Sequence, residues 1–374
     1  MSLVDVRPVR TVAERRAFLT LPWTIYRDDP LWVPPLLPER ARSIDPAKGK
    51  FFRRGQAEFF IAWRGGRPVG TICAAEDPPT NEVRKKRECL FGFFEYVDDE
   101  EVAGSLVRQA IAWARERCLD ALYGPFNLDY EDSYGVLLEG RDRPPALLCG
   151  HNPPYYPAFM DRLGFEPARG DNLAFAIETN APGLARLFRL AERSRQRLPV
   201  SIRHADLAQW DEEVDRVHRL LNVGLAHLPD FIGWHRSEVE ATLGQFRMLA
   251  DIELVLFAEV HGEAVGWLAG IPNLNETLIH GNGLRYPWDY ARLWWHARRR
   301  PECLCLKSVV VLPEYWSRGV GVLLFAEMAR RAIAKGYRWA DLSLTSADNP
   351  TTPILARHMG AKVYKRYRVY RLRI

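Results

Sequence analysis

The sequence predicts an α/β fold built from two similar halves, and three observations carry the prediction. The chain has 374 residues, about twice an ordinary domain at roughly 150 residues each. One hairpin-like pattern occurs twice at a fixed offset. Near the end, a β-branched run leads through a glycine-bearing turn into a helical pattern, the order strand, turn, helix.

Composition narrows the function classes first. Hydrophobic residues make up 47% and charged residues 26%, which suits a packed globular core and excludes disordered, collagenous and disulfide-scaffold chains. The longest apolar runs, ELVLFAEV and SVVVL, are far too short to span a bilayer, so neither a membrane span nor a membrane partner is expected. The opening MSLVDVRPVRTVAERR has no apolar signal region, which predicts a cytoplasmic protein. A net charge of +5 is spread along the chain and lacks the concentrated basic stripe of a nucleic-acid binder. The six cysteines contain no CxxC pair and read as buried free thiols. The histidines show neither HxxxH nor HExxH spacing, so no metal is expected.

The repeat organises the elements. Phe59 to Ala74 reads FFIAWRGGRPVGTICA, and Val255 to Gly270 reads VLFAEVHGEAVGWLAG. Ala62, Gly66, Val69 and Gly70 recur 196 positions later as Ala258, Gly262, Val265 and Gly266. Both are apolar runs broken by a glycine turn, the signal of a β-hairpin. At the same offset, Val6-Arg7-Pro8 matches Ile202-Arg203-His204, and Gly164 in RLGF matches Gly360 in HMGA. The first copy spans residues 1–180 and the second 200–374. Residues 181–199 form a helical connector, with Pro182 and Gly183 at its start and Leu184, Leu187, Phe188 and Leu190 as its apolar stripe.

In the second copy, Val309, Val310 and Val311 read as a buried strand that Pro313 ends. Ser317, Arg318, Gly319, Val320 and Gly321 follow, and from Val322 the pattern is helical. The first amides of a helix lack intrahelical partners, and its N-terminus carries about half a positive charge. Glycines bring that backbone close to a ligand, so the turn is a cradle for a phosphate or pyrophosphate. It lacks the third glycine of a dinucleotide fingerprint, because position 324 is Leu324, and it lacks the Lys-Ser/Thr of an NTPase loop.

VVVLPEYWSRGVGVLLF, followed by ADLSL, Asn349 and HMGAKVY, resembles the acyl-CoA-binding core of the GNAT superfamily of N-acetyltransferases. Gly319 and Gly321 fall on the two small positions of its [Q/R]-x-x-G-x-[G/A] turn. Trp316 stands where Gln or Arg is usual, and Ala356 where the family often has Tyr. The resemblance implies two GNAT-like halves, each a twisted, mostly antiparallel sheet flanked by helices. It also implies direct transfer of an acetyl or similar acyl group from CoA to a small-molecule or protein amine. The pantetheine would pair with the edge of Val309, Val310 and Val311, with an oxyanion-type backbone contact near Val310 or Val311. The pyrophosphate would sit on Arg318, Gly319, Val320, Gly321 and Val322, beside Trp316 and Ser317, with Asn349 at the end of the next strand.

The first copy reads CLFGFFEYVDDEEVAGSLVRQAIAW at the matching place. Asp98, Asp99, Glu100 and Glu101 replace the glycine cradle, so this half is expected to lack the CoA pyrophosphate loop. Its loops GPFNLDYEDSYGVLLEG and HNPPYYPAF mix aromatic, amide and acidic groups. They make Asn127, Asp129, Tyr130, Tyr134, Asn152, Tyr155 and Tyr156 candidates for the acceptor site. Candidates for proton transfer are Glu276, His358 and Tyr364, each with a plainer structural explanation. LWWHARRRPE, beside the insertion HGNGLRYPWDY, either covers the acceptor site or packs against the body. Two rival functions stay open: an aminoacyl-tRNA-dependent transferase, suited by the basic KVYKRYRVYRLRI, and a non-catalytic acyl-CoA sensor, suited by Ala356.

Overall fold

The computed structural model describes residues 3–128, 134–197, 199–227, 231, 233–247, 251–349 and 352–374. In chain order the first half contains β1 (Asp5–Pro8), α1 (Val12–Thr20), α2 (Pro22–Ile25), α3 (Leu37–Ser43), β2 (Gln56–Arg64), β3 (Arg67–Glu76), α4 (Pro78–Arg84), β4 (Glu88–Tyr96), α5 (Glu100–Arg115), β5 (Ala121–Gly124), β6 (Val136–Glu139), α6 (Tyr156–Arg162), β7 (Glu166–Pro167) and β8 (Asn172–Glu178). The connector is α7 (Gly183–Arg195). The second half contains β9 (Val200–His204), α8 (Trp210–Gly224), α9 (Arg236–Phe246), β10 (Val255–Val260), β11 (Glu263–Pro272), α10 (Asn275–Leu278), α11 (Pro287–His296), β12 (Cys303–Val311), α12 (Val320–Ala334), β13 (Trp339–Ser346), α13 (Thr352–His358), β14 (Lys362–Arg368) and β15 (Tyr370–Arg373).

The repeat is preserved down to the hydrogen-bond register. Val6 faces Ala62 and Ile202 faces Ala258, and in each hairpin the ladder slips directly after that alanine. The paired glycines serve one purpose in both halves. A Cβ on Gly70 would press on Val102 and Leu106 of α5, and one on Gly266 would press on Val320 and Leu324 of α12. Each hairpin therefore lies unusually close to its helix. Gly164 and Gly360 both sit at positive φ (81° and 88°), ending α6 and α13 as left-handed C-terminal residues.

The sheets do not follow the chain. One has the order β1-β2-β3-β4-β5-β15-β7, the other β6-β14-β8-β13-β12-β11-β10-β9. The last strand of the first half, β8, is inserted between β14 and β13 of the second sheet. The last strand of the second half, β15, is inserted between β5 and β7 of the first. Both sheets are mainly antiparallel, with one parallel pair each, β4–β5 and β12–β13.

Four apolar clusters hold this arrangement, one of them joining Leu137, Leu147 and Cys149 of the first half to Ile271, Cys305 and Tyr367 of the second. In the first half, one face of the sheet packs on α5 through Phe60, Ile72 and Leu106, and the other covers Phe18, Ile44 and Phe59. In the second half, α8 and α12 sandwich the sheet around Leu256, Leu268 and Leu324. Connector α7 buries Leu184, Leu187 and Ala191. Leu190, assigned to that stripe from the sequence, faces solvent, because Leu184, Leu187 and Ala191 are spaced at i, i+3 and i+7 and Leu190 falls off their line.

Candidate functional site

Strands β12 and β13 pair only from Cys303–Trp339 to Cys305–Asp341 and then diverge. Beyond Cys305, β12 has no ladder partner on its β13 side among the described residues, while its other edge stays paired to β11 through Val309, Val310 and Val311. The result is a V-shaped gap with one polar backbone edge exposed. Val310 is buried, whereas Val309 is 41% exposed. Trp316 donates its indole N–H to the Val311 carbonyl at 2.7 Å and stacks edge-on against His227, closing the outer end of the strand.

Residues Pro313–Arg318 form a 3₁₀ segment, and Gly319, at φ 83°, turns the chain into α12. No side chain caps α12, so the amides of Val320, Gly321 and Val322 at its first turn have no capping side-chain acceptor. Buried Val320 anchors the turn, and Ser317 is exposed. A Cβ on Gly319 would overlap the Ser194 hydroxyl of α7, so that glycine is needed both for its φ and for close packing. A Cβ on Gly321 would meet nothing nearer than Val311 Cγ2 at 3.9 Å, so the space over the helix start is open. Arg318 is exposed, lies over the Tyr315 ring at 5.4 Å and has no acidic partner among the described residues. Asn349 accepts the Thr352 amide at 3.0 Å and so caps α13.

The first half has the same gap and fills it with its own chain. β4 and β5 pair only from Glu88–Ala121 to Leu90–Tyr123. The segment after β5 then lies in the opening: the Phe126 amide donates to the Phe91 carbonyl and the Phe93 amide to Asn127 Oδ1, each at 2.7 Å. A Cβ on Gly92 would overlap the Phe126 carbonyl, so the insertion fits only over a glycine. At the start of α5, Asp99 caps the Val102 amide, Arg64 pairs with both Asp99 and Glu101, and Glu100 pairs with Arg162.

On the face of the second sheet opposite α12 lies a cavity of about 460 Å³. Its walls are mainly apolar: Val214, Val217 and Leu221 of α8, Val239 and Leu243 of α9, and Phe257, Trp267, Ala269 and Ile271 of the sheet. It ends at the diverging strands, where Lys307, Ser308, Ser343 and Ser346 line it, and the first half contributes Tyr134, Cys149, Arg169 and Asn172. Among the described residues, Trp267 Nε1 and Asn172 Nδ2 are buried donors without a partner. Lys307 pairs at 3.5 Å with the buried Asp341, whose other oxygen accepts from Tyr364 at 2.9 Å. Although burial disfavours its ammonium, nearby Cys149 and Asp341 raise the Lys307 pKa above the usual lysine range. Burial pushes the Cys149 thiol up to about 12.

The candidates read from sequence thus fall into different places. Tyr134 lines the cavity, and Tyr364 does not line it but connects to the lining Lys307 through Asp341. Asn152 accepts the Leu137 amide and Tyr155 donates to the Tyr96 carbonyl, at 3.0 and 2.6 Å. Tyr156 is buried on Glu95 at 2.9 Å, away from the cavity lining. Glu276 accepts the amides of Glu302 and Cys303 with its two oxygens, at the paired end of β12, and burial raises its pKa. His358 is exposed on α13. Asp129 and Tyr130 lie outside the described residues. Sequence reasoning missed Lys307, whose signal was a single charge inside the apolar run CLCLKSVVV.

The description "Acetyltransferase (GNAT) family" matches residues 222–360. A bacterial ceramide synthase of Caulobacter vibrioides is 31% identical over 377 residues, covering 98% of this chain and 97% of that protein. Protein YghO of Escherichia coli is 29% identical over 379 residues, covering 99% and 95%. Among solved structures, a tandem GNAT protein from the clavulanic acid biosynthesis pathway superposes with a TM-score of 0.58 at 13% identity, covering 99% of this chain and 98% of that one. A GCN5-related N-acetyltransferase from Sphaerobacter thermophilus does so with 0.52 at 14%, covering 99% and 95%.

Proposed function

This chain belongs to the GNAT family of acyltransferases, and from that premise we propose that it N-acylates a long-chain amine, with an acyl-CoA as donor. The observation that carries the reading is the pairing of two sites across one gap. The glycine turn lies at the start of α12 on one face of the second sheet, and the apolar cavity lies on the other face. The two meet where β12 and β13 part.

In this reading the amides of Val320, Gly321 and Val322, with Arg318, hold the pyrophosphate. The free edge of Val309 and Val310 takes the pantetheine by strand addition. The cavity takes the hydrocarbon chain of the acceptor, and its volume suits a site of about 300–1,000 Å³ for a small molecule. Trp267 Nε1, Asn172 Nδ2 and the serines at its inner end bind the polar head. Lys307 offers a fixed positive charge to the oxygen and sulfur that gain negative charge. The amine nitrogen forms a bond to the thioester carbonyl carbon, the C–S bond breaks, and the proton lost by nitrogen ends on the CoA thiolate. The protonated Cys149 thiol argues for this direct attack over an acyl-cysteine route. The similarity to a ceramide synthase supports an amino alcohol with a long alkyl chain as the acceptor class.

The first half, residues 1–180, takes no CoA in this reading, because its own chain and its own carboxylates occupy the equivalent positions. Its part is to close the acceptor cavity and, through the 181–199 connector, to brace the turn at Gly319.

The test is a thiol-release assay with detergent-dispersed long-chain 2-amino alcohols and a series of acyl-CoAs, with the amide identified by mass spectrometry. Turnover should rise with acceptor chain length and fall at least tenfold in Leu243→Trp, which fills the cavity. Acetylation confined to small polar amines would refute the lipid acceptor. Calorimetry should give one CoA bound per chain.

A further inference from the structure

Helix α11 is built inside out. Its inward line is Asp289, Leu293 and His296, spaced i, i+4 and i+7. Asp289 is buried and accepts from the Tyr286 amide and from Asn282 Nδ2. Leu293 lies against Gly281, and His296 stacks on His280 with ring centroids 3.8 Å apart. The outward face carries the large apolar groups: Trp288, Tyr290, Trp294 and Trp295 are 65%, 54%, 62% and 60% exposed. The tryptophans of LWWHARRRPE therefore neither line the cavity nor pack inward.

The exposed charges of this segment, from Arg285 to Arg300, have one sign. Arg292, Arg298, Arg299 and Arg300 are exposed and have no acidic partner among the described residues. Arg298 lies over the Trp294 and Trp295 rings at 3.7 and 5.4 Å, keeping its charge at the aromatic surface. Between Arg285 and Pro301 the one carboxylate is the buried Asp289.

We propose that α11 and the arginines after it form a docking surface for the anionic face of a lipid bilayer. The aromatic groups stand on a convex helix rather than in a groove, so a flat, deformable partner suits them. Trp and Tyr favour the headgroup level of a bilayer, and arginines beside them favour anionic lipid. The helix is well anchored for such a load. Trp23 Nε1 of the first half donates to Asn282 Oδ1 at 2.7 Å, and Asn275 donates to the Pro145 and Ala146 carbonyls. That second anchor leads directly into Leu148 and Cys149, which line the cavity. The proposal departs from the sequence-based expectation of no membrane partner; no described helix is long and apolar enough to cross a bilayer. Surface docking needs no span.

The test is cosedimentation of the full-length protein with vesicles of phosphatidylcholine alone and of phosphatidylcholine mixed equally with phosphatidylglycerol. Binding should require the anionic lipid and weaken with salt. The triple variant Arg298→Gln/Arg299→Gln/Arg300→Gln should bind on the order of a hundredfold more weakly. Trp294→Ser/Trp295→Ser should also lose binding, and with it the fluorescence quenching by brominated lipid. Both variants change exposed side chains, so circular dichroism and turnover of detergent-dispersed substrate should be unchanged. Unaltered vesicle binding in both variants overturns the proposal. So does loss of a dimer in sedimentation velocity of Trp294→Ser/Trp295→Ser without any vesicle binding, which would assign the face to a second copy. Binding of a single-stranded oligonucleotide in place of vesicles would overturn it as well.

Discussion

Replacing Gly321 by glutamate should move stability and ligand binding in opposite directions. Position 321 lies in the first turn of α12, with nothing within 3.9 Å of where its Cβ would stand. Removing a helical glycine gains about 0.5–1 kcal/mol, and a carboxylate at a helix start adds about 0.3–1 kcal/mol. The apparent stability should therefore rise by about 1–2 kcal/mol. The same carboxylate opposes each phosphate of a pyrophosphate by about 1 kcal/mol in water and about 4 kcal/mol at the dielectric of a protein surface. Two phosphates make at least about 2 kcal/mol, which is roughly a thirtyfold loss of affinity or more. Calorimetry with acetyl-CoA and thermal unfolding, run on the same preparations, measure both. Gly321→Ala is the control: it should gain stability and keep its affinity. If the glutamate variant binds CoA as tightly as the unaltered chain, the pyrophosphate does not rest on α12. If the alanine variant loses as much affinity as glutamate, the effect is steric and the electrostatic argument fails.

Other tests address the parts around the gap. Lys307→Met and Asp341→Asn should each cost about 3–5 kcal/mol in denaturant unfolding, because either leaves a buried charge unpaired, and the double variant should recover most of the loss. Gly92→Ala forces the inserted segment of the first half away from β4 and should cost about 1–3 kcal/mol while CoA affinity is unchanged. Burial raises Glu95 to about 7. The folded state then holds its proton above the pH at which the unfolded chain has lost it, so stability should fall as pH rises from about 4.5 to about 7, by up to about 3 kcal/mol. Glu95→Gln keeps an acceptor for Tyr26 and Tyr156, and its unfolding free energy should fall less steeply over that window by this amount.

What the sequence revealed was what local chemistry dictates. The repeat was legible because Gly70 and Gly266 must be glycine wherever a hairpin lies so close to its helix. The cradle was legible because a strand, a glycine turn and a helix follow one another without interruption. The inserted first-half segment was not, since Gly92 and Phe126 become neighbours only through folding, although the acidic start of α5 pointed the same way. The cavity was equally hidden. Its walls come from two helices, several strands and loops of the other half, and no single stretch carries its pattern. The strand exchange left no local mark: NLAFAIE and YRLR suit either sheet, and long-range pairing alone decides between them.

That exchange ties the halves into one object. Because β8 fills a slot between β13 and β14, a fragment starting at the connector would keep its glycine turn yet have a missing rung beside the reactive gap. Because β15 fills a slot between β5 and β7, the opposite fragment would expose two raw edges. A single cut anywhere near the midpoint spoils both sheets, so the two copies can diverge in chemistry but can no longer be inherited apart.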